Sequence, residues 1–420
     1  MIKGLHISTP YRENAILAIA RAAAREAQLD GFYTTLYLAR WQASAQRLPY
    51  VGPPLAQALS RRAFPGIPAE RMVNVAVLPE IMHVGARRLL GERCTALTTS
   101  LMYQVKARFD AAVARRIRRM CPDALVGMYG ACLESFRAVR RYGGMAVINF
   151  VNSHPAEQNR YLAELAGLNS AHHEMIPEWV ARRVEAELEL ASLILSPSRF
   201  VARQLILRGA CAEKIVTIPY GVDLGAFHPC TRPDSSKPPL VCLYVGQISH
   251  RKGLRFLLEA ARLCHDLPVH FRLIGPIVSK EVLEHLPGNV TYEGASLPSG
   301  VAEAMRHADL FVLPTLEDAC ALVVLEAMAS GLAVVTTTNN GSCELIADGV
   351  DGLIVPPGSA ERLADAIRSL VEQPDLRIQI GEAARQKVQG ADSWDDYRQQ
   401  VLAAIDGYRQ LPSQPGALHP

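Results

Sequence analysis

Short apolar runs alternate with helical apolar patterns along the first half of the chain. Strands are predicted by the β-prone runs at 2–8, 32–38, 124–129, 146–151 and 193–196. Helices are predicted by the apolar spacing at 14–29, 105–120 and 178–191. Because strands that alternate with helices form parallel sheets, we expect a Rossmann-like domain over residues 1–219.

The same alternation returns after a stretch rich in proline and glycine at 220–239, which predicts an interdomain linker. Strand candidates lie at 240–245, 270–274, 290–292, 310–313, 333–336 and 352–355, so a second Rossmann-like domain is expected over 240–390. A helix at 391–410 could cross back to the first domain, and a flexible tail would follow at 411–420. The predicted fold class is α/β, with two Rossmann-like domains facing across a cleft.

Composition narrows the class of protein. A chain of 420 residues can form two or three domains with sizeable cores. It contains no apolar run near the roughly 20 residues that span a bilayer, and residues 1–9 lack the order of a signal peptide, so we expect a cytoplasmic protein. The nine cysteines form no CxxC pair, which argues against a zinc site or a disulfide framework, and no metal ligands are predicted.

The net charge of +3 hides a difference between the two halves. Residues 1–200 hold 25 Lys and Arg against 16 Asp and Glu, whereas residues 201–420 hold 19 against 25. Arginines of the first half cluster at 61–62, 87–88, 115–119 and 137–141. These clusters could contact an anionic membrane or a phosphorylated acceptor, and the alternative is that they are solvated helix faces. We expect no nucleic-acid partner.

Residues 310–329, LFVLPTLEDACALVVLEAMA, are the most informative stretch of the chain. An apolar run that ends at Pro314 predicts a buried parallel strand, and a helix is predicted to start near Leu322. The loop between them would lie at the carboxyl ends of the strands, where ligands bind in open α/β sheets. The first N–H groups of the helix, near Ala321 and Leu322, would form an anion site, with the carboxylates of Asp318 and Glu326 beside it. This arrangement suits a nucleotide-sugar.

A second loop places cations near the same cleft. The stretch VGQISHRKG at 245–253 follows a predicted strand and opens a helix, so Arg251 and Lys252 can hold a diphosphate. Fixed cations and helix-end N–H groups stabilise the charge that develops on a departing diphosphate without a metal ion. The alternative is an ordinary exposed Arg-Lys pair.

Four stretches in this order resemble the retaining glycosyltransferases of family 4. They are VGQISHRKG at 245–253, LIGP at 273–276, the block at 310–329 and ELIADGVDGLIVPPG at 344–358. The resemblance runs over about residues 192–390. It implies the two-domain fold called GT-B, a nucleoside-diphosphate-sugar donor held by the second domain, and no cofactor or required metal.

The resemblance also implies roles for single residues. Asp318 stands where the family usually has a catalytic glutamate, and Glu326 matches the acid that accepts hydrogen bonds from the donor ribose. Lys252 matches the family's lysine. Gln247 stands in place of a frequent arginine, and Arg251 is expected to supply the missing charge. The other implied donor contacts are Gly275, Ser296 in the base pocket, Ala319, Cys320 and Ala321 in place of Gly-Phe-Gly, Leu322 and Val323.

Two loops of the first domain hold the remaining candidates. His154 follows a predicted strand at a place comparable to a family histidine that contacts the donor sugar, and the alternative is a structural histidine. Tyr11, Arg12 and Glu13 replace the glycine-rich loop of many relatives and are candidate acceptor contacts.

We therefore expect a metal-independent retaining glycosyltransferase with a glycan or lipid-linked hydroxyl acceptor, active in polysaccharide, lipopolysaccharide or glycolipid synthesis and located in the cytoplasm or at the inner membrane face. Two other functions stay open at the level of sequence. One is a nucleotide-sugar epimerase of the same fold. The other is a non-catalytic nucleotide-sugar-binding partner subunit, suggested by Asp318, Gln247 and the Ala-Cys-Ala replacement.

Overall fold

A computed structural model describes residues 4–35, 37, 64–90, 95–166, 174–230, 239–391 and 393–410. Part of the predicted linker, 231–238, and the predicted tail at 411–420 lie outside these residues, as do Arg61 and Arg62. Within the described residues, no helix is both long enough and apolar enough to cross a membrane.

The first domain is built on a seven-stranded parallel sheet in the order β3-β2-β1-β4-β5-β6-β7. Its strands are β1 (Leu5–Ser8), β2 (Leu29–Thr34), β3 (Met72–Asn74), β4 (Ala124–Met128), β5 (Met145–Asn149), β6 (Leu193–Ser196) and β7 (Ile215–Thr217). The helices are α1 (Asn14–Arg25), α2 (Val77–Leu90), α3 (Thr95–Met120), α4 (Leu133–Arg140), α5 (Pro155–Tyr161), α6 (Glu178–Leu190) and α7 (Arg199–Leu207). The central strands are buried on both faces, as parallel sheets require.

The second domain has a six-stranded parallel sheet in the order β10-β9-β8-β11-β12-β13. Its strands are β8 (Leu240–Val245), β9 (Val269–Ile274), β10 (Val290–Tyr292), β11 (Leu310–Leu313), β12 (Ala333–Thr337) and β13 (Leu353–Val355). The helices are α8 (Leu254–Leu263), α9 (Pro298–Arg306), α10 (Leu322–Ala329), α11 (Ala360–Glu372) and α12 (Pro374–Gln389). The two parallel α/β sheets confirm the predicted fold class.

The last helix, α13 (Trp394–Gln410), returns to the first domain, as the sequence suggested. It packs against α1, and its buried Tyr397, Val401 and Ile405 belong to the hydrophobic core of that domain. The rings of Trp394 and Tyr397 also pack against Tyr220, at the crossing between domains. The chain therefore crosses between the domains twice.

The carboxyl ends of the two sheets meet at the interdomain cleft. Ser198, just after β6, contacts the loop that follows β11, and Glu174 of the first domain contacts the loop that follows β8. Ligand sites in open α/β sheets lie at this edge. The fold thus brings the candidate residues of both domains to one place.

Candidate active site

The loop between β8 and α8 is held against the end of β11 by a glycine. Gly253 has a φ of 70°, and a Cβ atom at this position would lie 1.8 Å from the carbonyl oxygen of Pro314. Only glycine fits so close a backbone contact in a left-handed conformation. The contact directs Lys252 toward the loop that carries Asp318.

Lys252 and Asp318 form a buried ion pair. Their side chains are 12% and 11% exposed, so the pair is largely shielded from water. Burial alone would raise the pKa of Asp318, but Lys252 and Arg251 hold it below its ordinary value. The carboxylate is therefore ionised at neutral pH, and two residues predicted for one site are in direct contact.

A second buried acid, which the sequence did not single out, stands next to this pair. Glu317 is 1% exposed, and its Oε2 lies 3.5 Å from Nη1 of Arg251. Nη1 of Arg251 also donates to the carbonyl oxygen of Glu317, at 3.2 Å. Burial raises the pKa of Glu317, and Arg251 offsets this only in part. The guanidinium of Arg251 is therefore bound to Glu317 in the loop after β11. The sequence had predicted that Arg251 lies beside the cleft, but not this contact.

The N-terminus of α10 follows at Leu322, as predicted. The backbone N–H groups of Leu322 and Val323 donate to no acceptor within the described residues, as is usual in the first turn of a helix. Ala321 differs from expectation, because its N–H donates to Oδ1 of Asn340 at 3.3 Å. Within the described residues, the N–H groups of this helix end that have no acceptor are therefore those of Leu322 and Val323, one residue beyond the predicted pair Ala321 and Leu322.

The remaining residues of the replaced glycine motif are tied to their surroundings. The carbonyl oxygen of Ala319 accepts a hydrogen bond from Ser198 of the first domain, at 2.7 Å. The N–H of Cys320 points to the carboxylate of Asp318, and burial raises the pKa of the Cys320 thiol to about 12. This thiol is protonated at neutral pH, so it acts as a small apolar group.

Glu326 lies one turn inside α10. Burial raises the pKa of this carboxyl to about 7, and within the described residues it has no ion pair or side-chain hydrogen bond. Donors on a bound ligand would favour the ionised form. The geometry therefore fits a carboxylate that accepts hydrogen bonds from a ligand.

Gly275 stands where the loops after β8 and β9 touch. Its φ is 154°, and a Cβ atom here would lie 1.7 Å from the carbonyl oxygen of Gly246. Gln247, the next residue of the first loop, is exposed, and its carbonyl oxygen accepts from the hydroxyl of Tyr244 at 2.6 Å. Glycine at 275 thus allows the two loops to form one wall of the cleft.

Ser296 lines a pocket of about 220 Å³ beyond the loop after β10. Arg272 and Glu293 lie in the same pocket and form a two-bonded ion pair, with N–O distances of 2.6 and 2.9 Å. A wall of this kind offers both donors and acceptors to a flat polar group. The pocket is at the place where the sequence expected a base to bind.

His154 is fully buried and forms the N-cap of α5. Its Nδ1 accepts from the N–H of Ala156 at 3.2 Å, so the ring proton belongs on Nε2, which has no hydrogen-bond partner within the described residues. Burial lowers the pKa of His154 to about 4, and Arg208 lowers it further, so the ring is neutral at pH 7. The neighbouring Ser153 hydroxyl lies close enough to Glu317 to lower the pKa of that acid, though it does not form a hydrogen bond of normal geometry.

The predicted acceptor residues divide into two groups. Glu13 caps α1, accepting from the N–H groups of Ala15 and Ile16 at 3.0 and 2.8 Å, so its carboxylate serves the fold. Tyr11 lies near enough to Tyr103 to influence its ionisation, while Arg12 is exposed. Of the three, Tyr11 is thus the one that lies near a buried aromatic residue of the first domain, Tyr103.

Two acidic residues that the sequence did not identify join the domains. Glu174 accepts from the N–H groups of His250 and Arg251, at 2.7 and 3.0 Å. Glu344 accepts from the first N–H groups of α7, those of Arg199 at 2.9 Å and Phe200 at 2.5 Å. Their role depends on contacts between distant segments, so no local signal marks them. Within the described residues, no group of three His, Cys, Asp or Glu side chains could hold a metal ion.

A family model matches most of the second domain. Residues 239–373 match the family model described as "Glycosyl transferases group 1". The chain is 31% identical over 183 residues to the sulfoquinovosyl transferase SQD2 of Arabidopsis thaliana. This alignment covers 40% of this chain and 35% of that protein. It is 28% identical over 200 residues to the D-inositol 3-phosphate glycosyltransferase of Paenarthrobacter aurescens, 41% of this chain and 48% of that protein. The matches thus span less than half the length of these relatives.

Solved structures match nearly the whole chain. The structure of Anabaena HepE in complex with UDP and glucose has a TM-score of 0.63 at 17% identity, over 97% of this chain and 100% of that one. Sucrose-phosphate synthase from Thermosynechococcus elongatus has a TM-score of 0.68 at 17% identity, over 97% and 99%. Identities this low establish the fold alone. Residues 239–373 therefore match the family of group 1 glycosyl transferases, in a chain whose two domains have the GT-B fold.

Proposed function

We propose that the protein is a retaining glycosyltransferase that moves a sugar from a nucleoside-diphosphate sugar to a hydroxyl acceptor. One observation carries the proposal: Lys252 is paired with Asp318 just before the N-terminus of α10, and Glu326, which has no ion pair within the described residues, lies one turn along that helix. These residues lie in the segment that matches the family. Cations, helix-end N–H groups and a free carboxylate together suit the three parts of a nucleotide-sugar.

The diphosphate would bind at the end of α10. Lys252 and the N–H groups of Leu322 and Val323 supply positive charge and donors, and Arg251 adds charge from the same loop. Helix N-termini and fixed cations in a shielded site stabilise charge that develops in a transition state. The fold therefore favours departure of the nucleoside diphosphate, and we propose that this requires no metal ion.

Glu326 would accept hydrogen bonds from the ribose hydroxyls. Hydrogen bonds to a charged acceptor are worth about 1.5–3 kcal/mol. Each such bond therefore changes affinity by roughly tenfold or more. The pocket beside Ser296 would then receive the base, because Gly294, which lines this pocket, accepts a hydrogen bond from the N–H of Gly275 in the cleft wall at 2.9 Å.

The reaction breaks the bond between the anomeric carbon and the phosphate oxygen, and the diphosphate leaves with the bonding electron pair. The acceptor oxygen forms the new bond to that carbon on the same face, and its proton passes to the departing phosphate oxygen. His154 is neutral, so it would donate its Nε2–H to a sugar hydroxyl and hold the ring in place without adding charge. Asp318 would orient Lys252 toward the donor.

The acceptor belongs to the first domain in this proposal. A glycan or lipid-linked hydroxyl is supported by the names of similar proteins, which include a putative colanic acid biosynthesis glycosyltransferase and a glycosyltransferase involved in lipopolysaccharide biosynthesis. The basic residues of the last turn of α3, Arg118 and Arg119, would help to hold such an acceptor at an anionic membrane.

The test is a panel of nucleoside-diphosphate sugars, measured for binding by calorimetry and for slow hydrolysis, with and without a chelator. We expect one selective donor, unaffected by the chelator. Glu326→Ala and Lys252→Ala should each weaken it by tenfold or more. The exposed residues Glu382 and Lys280 supply matched controls, and Glu382→Ala and Lys280→Ala should bind like the wild type.

Four results would contradict the proposal. If no donor binds, or if the two site variants bind like their controls, the donor site is placed wrongly. If a donor binds but the sugar is altered while still joined to the nucleotide, the protein is an epimerase. If a donor binds and no hydrolysis or transfer occurs with any acceptor, it is a non-catalytic binder.

A further inference from the structure

Lys106, in the middle of α3, is a buried cation outside the site described above. It is 4% exposed, and its ammonium lies 5.1 Å from the ring centroid of Tyr103 and 5.3 Å from that of Tyr129. Within the described residues, the ammonium makes no hydrogen bond and no ion pair. Contacts with two aromatic rings recover only part of the cost of taking a charge out of water. The remaining cost indicates a purpose other than packing.

The acids near Lys106 are engaged elsewhere. The negative charge of Glu187 raises the pKa of Lys106. The carboxylate of Glu187, however, accepts hydrogen bonds from the N–H groups of Gly130 at 2.5 Å and Cys132 at 3.0 Å, and it lies beside Arg183. Asp110, one turn along α3, is paired with Arg183. Burial lowers the pKa of Lys106 to about 8, which leaves the group mainly protonated at neutral pH. Among the residues that the structure describes, the charged ammonium of Lys106 therefore has no acceptor.

The position of Lys106 links it to the cleft. Tyr129 follows β4 at its carboxyl end, and its hydroxyl accepts from Nδ2 of Asn152 at 2.6 Å, two residues before His154. The charges of Arg251 and Glu317, in the second domain, influence the ionisation of Tyr129. The Lys106 group therefore lies on the wall of the first domain that faces the loops of the proposed donor site.

We propose that Lys106, between the rings of Tyr103 and Tyr129, binds an anionic group of the acceptor, so that the sugar or polyol acceptor carries a phosphate or a carboxylate. Identifying the bound molecule as the acceptor rests on the proposed glycosyl transfer, but binding of an anion at Lys106 can be tested without it. A lysine ammonium is a compact charge with three donors, which suits the oxygens of either group. The ring faces beside it suit the C–H surface of a sugar.

The test compares three probes that share one ring and differ at a single carbon: glucose 6-phosphate, glucuronate and glucose, with inorganic phosphate as the minimal anion. Binding to the full-length chain is measured by calorimetry. We expect wild type to bind at least one charged sugar tenfold or more tightly than glucose. If glucose 6-phosphate is preferred and inorganic phosphate also binds, the anionic group of the ligand is a phosphate. If only glucuronate is preferred, the anionic group is a carboxylate.

Two variants assign the effect to the residue. Lys106→Met should abolish the preference for the charged sugar, while Lys106→Arg, which keeps the charge, should retain it. Thermal unfolding of both variants checks that they fold. If Lys106→Met does not fold, Lys106→Gln, which is polar and uncharged, takes its place and should likewise lose the preference.

The proposal is overturned if none of the anions binds, if glucose binds as tightly as the charged sugars, or if Lys106→Met keeps the preference. It is also overturned if the preference is lost with Lys252→Met instead, since the anion would then occupy the donor site. Donor binding measured with the nucleotide-sugar panel is independent of this result. If a donor binds but no anion binds at Lys106, only this inference fails. If an anion binds at Lys106 but no donor binds, the proposed glycosyl transfer fails and the anion site remains.

Discussion

The hydroxyl of Ser198 donates a hydrogen bond to the carbonyl oxygen of Ala319, at 2.7 Å, and so joins the end of β6 to the loop that holds Asp318. Gly341 makes this contact possible, because a Cβ atom there would lie 2.4 Å from Oγ of Ser198 and 1.9 Å from the oxygen of Ala319. The position of the donor loop is therefore set in part by the other domain.

Ser198→Ala should weaken donor binding by about threefold to tenfold, the usual range for one neutral hydrogen bond. The same hydroxyl also caps α7 by accepting from the N–H of Val201, so we expect a loss of about 1 kcal/mol in the free energy of unfolding. Calorimetry with the preferred donor and urea unfolding measure the two effects separately.

Ser359 gives the matched control for this variant. It caps α11 by accepting from the N–H of Arg362 at 3.2 Å, and it makes no bond to the other domain within the described residues. Ser359→Ala should cost a similar amount of stability and leave donor affinity unchanged. Equal donor affinity in both variants would show that Ser198 serves only as a helix cap.

Donor affinity should rise with pH through about 7. Burial raises the pKa of Glu326 to about 7, so the carboxylate that accepts hydrogen bonds is the minor form below this pH and the major form above it. Titration calorimetry between pH 5.5 and 8.5 should give an inflection in wild type that is absent in Glu326→Gln. A profile in Glu326→Gln that still follows wild type would assign the titration to another group.

The local parts of the fold were predictable because apolar runs and chain breakers are local signals. The strand at Leu310–Leu313 and the helix starting at Leu322 follow directly from such a pattern. The edge strands β3 and β7 were missed, since each has three residues and is partly exposed, which leaves no apolar alternation to detect. Helix α3 begins at Thr95, ten residues before the predicted start, because polar threonines precede its apolar spacing.

The candidate site was predictable only where its residues share a segment. Asp318 and Glu326 stand in one loop and helix, and Lys252 in one short motif, so the sequence could name them. Glu317 and Glu174 read as ordinary exposed acids, because their burial and partners come from segments distant in the chain. Lys106 is a similar case, since a lysine in a helix normally faces water.

Asp318→Asn should lower the free energy of unfolding by about 3 kcal/mol, because it leaves the buried ammonium of Lys252 without its partner. The double variant Lys252→Met with Asp318→Asn should recover part of this loss, since no charge is then left unpaired. Urea unfolding of wild type, both single variants and the double variant gives the coupling energy. Additive losses would show that the pair contributes nothing as a pair.

Gly275→Ala should destabilise the second domain by more than about 3 kcal/mol, beyond the range of most single substitutions. The added Cβ would lie 1.7 Å from the carbonyl oxygen of Gly246, and both atoms belong to backbone that cannot rotate away. The loops after β8 and β9 would have to separate, so donor binding should weaken as well. Gly288→Ala is the control, because a Cβ at 288 meets no atom within 4 Å, and its effect should stay within about 1 kcal/mol. If urea unfolding gives the same stability for both variants, the close contact between the two loops does not hold the cleft wall together.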